Sequence, residues 1–292
     1  MTFKPVFHIF DSPKGEFQLL IISWPTNPSE KDKSYLSGIR DAFDYGRGGA
    51  TLLEKKGGLI EVVSNASEDI QAVTTQEILD PWKTAFIPVD LQYASACRTM
   101  GLGKIWKEQK KEALLKYRFD RIEQIVIPNV QKLLTFFRNH RLRIIHMTVG
   151  SEMPDYSDIM PHKVSFRKLL NNRVGEREHE ILDEVRPFPG EMIINKTTTG
   201  AFNSSPIDSV LRAMGIEYCV FAGVSTDMCI EGTARDAADR GYRVILIEDA
   251  CAANRQEHHD ASVSAIRRSY GRVCTTDELI RQLATSLKVP ST

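Results

Sequence analysis

The stretch EYCVFAGVSTDMCIEGTARDAADRGYRVILIEDA, residues 217–250, decides the fold. It opens with an apolar run over 218–223, continuous rather than alternating, as in a parallel strand buried on both faces. A polar turn over 224–228 leads to Cys229. Behind it, 230–239 is helix-forming, and Gly241 supplies the stop. A second apolar run, 243–247, leads to Asp249. The unit is strand, helix, strand, and it puts a thiol where the first strand ends and the helix begins. Open α/β sheets bind their ligands at that edge. Unsatisfied N–H groups and the helix dipole favour an anion there, a thiolate included. Read alone, Cys229 is equally a small buried hydrophobe.

Working outward, two more apolar strands end in a charged residue. Residues 85–89 run into Asp90, followed by Leu91, Gln92 and Tyr93. Residues 191–195 run into Lys196, followed by Thr-Thr-Thr-Gly-Ala and Phe202. An acid at a strand end also serves as a turn former, and a lysine there is often just solvated. Strand geometry nevertheless aims all three at one crevice. Residues 205–208 read as a helix cap with proline entering the first turn.

The remaining segments frame the sheet. Residues 122–140 carry Ile122, Ile125, Val130, Leu133, Leu134 and Phe137 near helical spacing. The next strand is 142–147, whose His146 reads as structural. Residues 103–118 are polar and basic, and read as a solvated or subunit-facing helix. Residues 148–189 have weak patterning, and a loop with a helix inside is expected to shape a pocket. Asp155, Asp158 and His162 lie there and are residue types that bind metals. Beyond the central unit, 249–254 reads as loop, 258–269 as helix, 272–274 as strand and 277–287 as helix. His258 and His259 read as cap or surface residues.

Residues 1–80 look different. Runs at 6–10 and 17–24, then 50–53 and 59–63, read as two hairpins. A helix is expected from Ser34. Gly46-Arg47-Gly48-Gly49 lacks the Lys-Ser/Thr ending of a phosphate loop. The domain reading is a β-rich extension over 1–80, for covering or assembly, and an α/β domain over 81–292.

The chain has 292 residues and a formal net charge of zero, which disfavours nucleic acid or an acidic membrane as partner. No apolar run is long enough to cross a membrane, and the N-terminus lacks a signal-peptide layout. Five cysteines without a paired spacing suggest reduced thiols in the cytoplasm.

Asp90, Lys196 and Cys229 together make a chemical set. A carboxylate takes the thiol proton, an ammonium holds the resulting charge, and the N–H groups of the 225–229 turn, those of Ser225 and Cys229, offer an oxyanion hole. Such a site attacks a carbonyl with an amine leaving group and requires no metal or other cofactor. Gln92, Tyr93 and Phe202 are candidates for the pocket wall.

On three motifs, PVDLQ at 88–92, INKTTTGAFNSSPID at 194–208 and FAGVSTDMCIEGTARDAADRGYRVILIEDACA at 221–252, the sequence resembles the isochorismatase-like cysteine hydrolases. The resemblance covers about residues 81–287. It implies a doubly wound, mainly parallel sheet with helices on both faces. It also implies Asp90 as general base, Lys196 as orienting cation, Cys229 as the residue acylated, and a non-proline cis bond at Val224–Ser225. Isochorismatases proper lack the cysteine, and nicotinamidase-like members carry an Asp-x-His metal site missing here. The amide-cleaving branch remains, similar to hydrolases of N-carbamoylsarcosine, ureidoacrylate or biuret, with a small amide or ureido substrate. A homo-oligomer, dimer or tetramer, is the expected assembly. A vinyl-ether hydrolase and a catalytically silent binding relative are the alternatives.

Overall fold

The structure is a computed structural model that describes residues 7–11, 17–21, 51–55, 59–64 and 79–288. The chain divides into two compact units, Met1–Thr75 and Gln76–Thr292.

In the first unit, β1 (Phe7–Asp11) pairs antiparallel with β2 (Phe17–Ile21), and β3 (Thr51–Lys55) with β4 (Leu59–Ser64). These are the two expected hairpins. β2 also pairs with β4, giving one antiparallel sheet in the order β1-β2-β4-β3. The helix expected from Ser34 and the Gly46–Gly49 stretch lie outside the described residues.

In the second unit, six strands form one all-parallel sheet. They are β5 (Thr84–Val89), β6 (Arg143–Val149), β7 (Met192–Lys196), β8 (Tyr218–Val224), β9 (Arg243–Ala252) and β10 (Gly271–Cys274). Their order is β10-β9-β8-β5-β6-β7. The chain winds outward from β5 to β7, returns beside β5 as β8, and winds outward the other way. The reversal falls between β5 and β8, which is where such sheets bind ligands.

The apolar runs are continuous because both faces of the sheet are covered. Ala85, Ile87 and Val89 of β5 belong to one core and Phe86 to the other; Cys219 and Phe221 alternate with Val220 and Ala222 in the same way. One core is closed by helix α4 (Ile127–Asn139) through Val130, Leu133, Leu134 and Phe137, and by α9 (Thr276–Ser286). The other is closed by α6 (Ile207–Ala213), α7 (Glu231–Asp239) and α8 (Gln256–Ser269). Thr275 caps α9, with Glu278 completing the capping box.

Three expectations are corrected. The basic helix expected over 103–118 is broken: after a short α1 (Tyr93–Ala96), α2 (Gly101–Glu108) stops, Lys110 takes φ 56°, and α3 (Lys116–Arg121) starts afresh. The KEQKK run has no apolar position to bury, so nothing holds a helix together there. From α3 the chain continues through a π turn, Ile122–Val126, into α4, so the amphipathic helix starts a turn and a half earlier than its pattern. The loop expected from 249 is strand as far as Ala252: β9 re-registers against β8, and Cys251 faces Gly223. The polar pair Glu248-Asp249 marks that irregularity and hides the continuation.

Gly223 shows how closely the two central strands approach. Its φ is 121°, and a methyl group there would run into the carbonyl of Val89 on β5.

Candidate active site

The three charged or nucleophilic side chains meet at the carboxyl edge of the sheet. Asp90 follows β5 with φ 53°, an uncommon left-handed conformation that aspartate tolerates better than most residues. Its N–H still donates to Met147 O on β6, at 2.9 Å. Lys196 ends β7, and its Nζ donates to Asp90 Oδ2 at 2.9 Å and to Thr198 O at 3.3 Å. Lys196 is 0% exposed and Asp90 is 2% exposed. A buried ion pair of this kind gains little net stability, since the cost of desolvation roughly cancels the attraction. Its presence is better explained by what stands next to it.

That neighbour is Cys229. β8 ends in a cis peptide between Val224 and Ser225, as the resemblance implied. A π turn, Thr226–Ile230, then carries the cysteine. Ser225 O accepts from the N–H groups of Met228 and Ile230. The Cys229 N–H sits in the first turn, where helix donors lack intrahelical partners. The thiol is pushed up to about 11, chiefly by burial and next by the charge of Asp90; Lys196 opposes both. The sulfur therefore rests as a thiol, not as the thiolate that a helix start alone would favour. Its contact with Asp90 is loose, for Asp90 Oδ1 is buried without a partner at ordinary hydrogen-bond geometry. One carboxylate oxygen is thus held by the lysine, and the other is open to a proton.

The proposed wall residues have different fates. Phe202 packs in the same core as Cys229 and against Tyr242, ring centroids 5.8 Å apart. Tyr93 is turned to Arg177, whose Nη2 donates to its hydroxyl at 2.7 Å and whose guanidinium lies over its ring. Gln92 is fully engaged: its amide donates to Val149 O and His179 O and accepts from Val149 N. It stitches the end of β6 to the loop at 179, with both amide protons spent on backbone carbonyls.

Asp155, Asp158 and His162 do not converge. Asp158 serves Ser151 and Glu152, Asp155 serves Ser157, and His162 is exposed. Among the described residues, no three of His, Cys, Asp and Glu are grouped to hold a metal ion. His146 is buried and bonded to Glu191 Oε2 at 2.9 Å. His259 is a further correction: it is buried, not a surface cap. Its Nδ1 lies 2.9 Å from Thr226 Oγ1 and its Nε2 3.1 Å from Arg121 Nη2. Arginine only donates, so Nε2 accepts and Nδ1 carries the proton.

Arg118 lies in the basic run that reads as a solvated or subunit-facing helix. It is 2% exposed. Nη1 donates to Ser225 Oγ at 2.6 Å and Asn254 Oδ1 at 3.1 Å, while Nε and Nη2 donate to Ser95 O. Ser95 Oγ in turn donates to Asp90 O at 2.6 Å. Burial lowers the guanidinium to about 10, and the charges of Asp227 and Asp90 oppose that fall. One side chain thereby braces both strand ends that carry the candidate base and thiol. The usable signal was spacing: Arg118 and Ile122 lie one helical turn apart, on the buried face of the helix.

Comparison with known proteins agrees with this architecture. The family model described as "Isochorismatase domain" matches residues 120–278, which include Lys196 and Cys229 but not Asp90. The ureidoacrylate amidohydrolase RutB of Variovorax paradoxus is 36% identical over 111 residues, 38% of this chain and 44% of that protein. The chain thus aligns with less than half the length of that relative. RutB of Agrobacterium fabrum is 30% identical over 174 residues, 52% of this chain and 73% of that protein. A cysteine hydrolase structure from Pseudomonas syringae pv. phaseolicola superposes with a TM-score of 0.61 at 24% identity, covering 72% of this chain and 97% of that one. With the same doubly wound sheet and a matched stretch of more than half its length, the chain belongs to the isochorismatase family.

Proposed function

We propose that this protein is a cysteine amidohydrolase that cleaves a C–N bond of a small amide, carbamoyl or ureido compound through a thioester. The observation that carries this reading is the buried Asp90–Lys196 pair beside a protonated Cys229. Asp90 Oδ1, without a partner, takes the thiol proton as sulfur attacks the carbonyl carbon. Lys196 stabilises the anionic form of the site, and the N–H groups of Ser225 and Cys229 hold the oxyanion. The C–N bond breaks, the nitrogen leaves with the proton, and the acyl group remains on sulfur. Water then attacks the thioester with Asp90 again as base. Lys196 fills the cation role, so no step requires a metal. The ureidoacrylate amidohydrolases among the relatives support a ureido substrate.

Five free cysteines suit a reducing cytoplasm, and among the described residues no helix is long and apolar enough to cross a membrane. Self-association as a dimer or tetramer belongs to the same proposal, as does a covering or assembly role for the first unit.

The test is Cys229→Ala against wild type on a panel of carbamoyl and simple amides, with mass spectrometry of the intact protein. Loss of turnover, and an acyl adduct on Cys229 trapped in wild type, are expected. Turnover by Cys229→Ala at the wild-type rate overturns the mechanism and favours a thiol-independent reaction such as vinyl-ether hydrolysis. Absence of any adduct and any turnover across the panel favours a silent relative.

A further inference from the structure

We propose that Ser204 is a positioning residue of the active site: through Thr198 it fixes the rotation of the Lys196 ammonium, so that one N–H of the lysine stays free for the negative charge formed at Cys229. This inference rests on the function proposed above and adds how its cation is aimed.

An ammonium has three donors. Lys196 spends one on Asp90 Oδ2 at 2.9 Å and one on Thr198 O at 3.3 Å, and among the described residues no third acceptor lies within hydrogen-bonding distance. The Thr198 bond is long, so it turns the ammonium more than it holds it. The side chain's own bond and these two contacts take three of the four tetrahedral directions at Nζ. The fourth, that of the remaining N–H, is thereby fixed. Cys229 meets the same Asp90 carboxylate. Two cations oppose the effect of burial on the sulfur: Lys196 and, more weakly, Arg167 of α5 (Val164–Leu169), itself buried.

Thr198 O is held in place by one hydroxyl. Ser204 Oγ accepts from Thr197 N at 3.0 Å and from Thr198 N at 3.1 Å. Successive N–H groups converging on one point form the kind of cradle that binds anions, and here a side chain fills it. Thr198 Oγ1 lies 2.7 Å from Gly200 O and 2.7 Å from Ser204 Oγ. A carbonyl only accepts, so Thr198 Oγ1 donates to Gly200 O and Ser204 Oγ donates to Thr198 Oγ1. The Ser204 hydroxyl has one donor and two lone pairs, and all are used. Thr198 is pinned at its N–H and, through its side chain, at Gly200, and its carbonyl lies between those two points.

The loop is anchored in turn on the helix that follows the nucleophile. Ala201 N donates to Thr233 Oγ1 at 3.1 Å and Asn203 Nδ2 to Asp236 Oδ2 at 2.9 Å, both acceptors on α7. That helix continues directly from the Thr226–Ile230 turn. Ser204 therefore ties the aim of the lysine to the position of the cysteine.

The test is alkylation of the native protein by iodoacetamide, a neutral probe, at several pH values between about 7 and 9.5, with each cysteine followed by peptide mass spectrometry. In this range, below the Cys229 midpoint of about 11, the rate follows the thiolate fraction. In Ser204→Ala, Cys229 is expected to react about tenfold more slowly than in wild type throughout, while half-buried Cys97 is unchanged. Ser205→Ala removes a different hydrogen bond of the same loop, from Ser205 Oγ to Ala201 O, and is expected to leave Cys229 at the wild-type rate. A loop merely loosened opens the site, so unchanged or faster labelling of Cys229 in Ser204→Ala overturns the proposal, as does equal slowing in Ser205→Ala. If Ser204→Ala does not fold, Thr198→Val decides. It removes the hydroxyl that Ser204 donates to, keeps both N–H bonds to Ser204, and is expected to slow Cys229 about threefold; a wild-type rate there overturns the proposal. Lys196→Met separates this inference from the function it rests on, and is expected to slow Cys229 about tenfold or more. Should Lys196→Met react like wild type, the lysine is not the cation of the site, and the proposed mechanism falls with Ser204. Should it be slow while Ser204→Ala is not, only the role of Ser204 falls.

Discussion

Lys196 Nζ and Asp90 Oδ2 stand 2.9 Å apart with both side chains out of contact with water. The pair spans two strands that are not neighbours, β5 and β7, and so depends on the sheet being correctly assembled. Lys196→Met leaves a carboxylate buried without its cation, which typically costs about 3–5 kcal/mol. The double variant Asp90→Leu, Lys196→Met removes both charges and is expected to regain most of that loss. Chemical denaturation of the three proteins checks it. A single variant as stable as wild type would mean that the pair is more hydrated than its burial indicates.

Acid sensitivity follows from His259. Burial, and next the charge of Arg121, lower its imidazole from 6.5 to about 4. Between those values the unfolded chain binds a proton that the folded chain refuses. Stability is therefore full above pH 6.5 and falls as the pH drops toward 4, by on the order of 2–3 kcal/mol for this one group. His146 and His179 are lowered by burial too and add to the slope. His259→Gln does not titrate and is expected to flatten the stability profile between pH 6.5 and about 4 by one group's share. Denaturant midpoints measured across that range test the sign.

Arg118 is a positioning residue on this geometry. Arg118→Lys keeps a cation but cannot serve Ser95 O, Ser225 Oγ and Asn254 Oδ1 together. Its expected signature is a fall in kcat of about tenfold or more with KM changed little, because the Ser225 turn is set while the substrate is bound elsewhere. Arg118→Met, which also leaves three acceptors without donors, is expected to lose on the order of 3 kcal/mol of stability. A wild-type kcat in Arg118→Lys, with kcat lost only in Arg118→Met, would show that charge, not geometry, is what matters.

The parts of the molecule that were legible in the sequence share a physical cause. Strands 84–89 and 218–224 carry the continuous apolar runs of a sheet covered on both faces, 192–196 is an edge strand with Ile193 exposed, and each ends in the side chain that matters or in the turn leading to it. Asp90 and Lys196 could be placed at one edge from that alone. The extension of β9 to Ala252 was hidden because Glu248 and Asp249 sit at a change of register, where a strand tolerates charge. Arg118, Arg167 and His259 were hidden for a different reason. Each is a polar residue in a helical or loop segment of ordinary polarity, and its burial is decided by elements more than a hundred residues away or by an irregular segment without a period. Gln92 follows the β5 end, and its hydrogen bonds to the β6 end and to the loop at 179 come from segments that its sequence neighbourhood does not announce.

A sulfur that keeps its proton until a carbonyl arrives is a poor target for peroxide and for soft metal ions, since both act on the thiolate. The same enclosure that lifts the Cys229 thiol to about 11 thus acts as a safety catch. On the mechanism proposed above, the site stays idle until an occupant that fits beside Asp90 draws the proton off the sulfur.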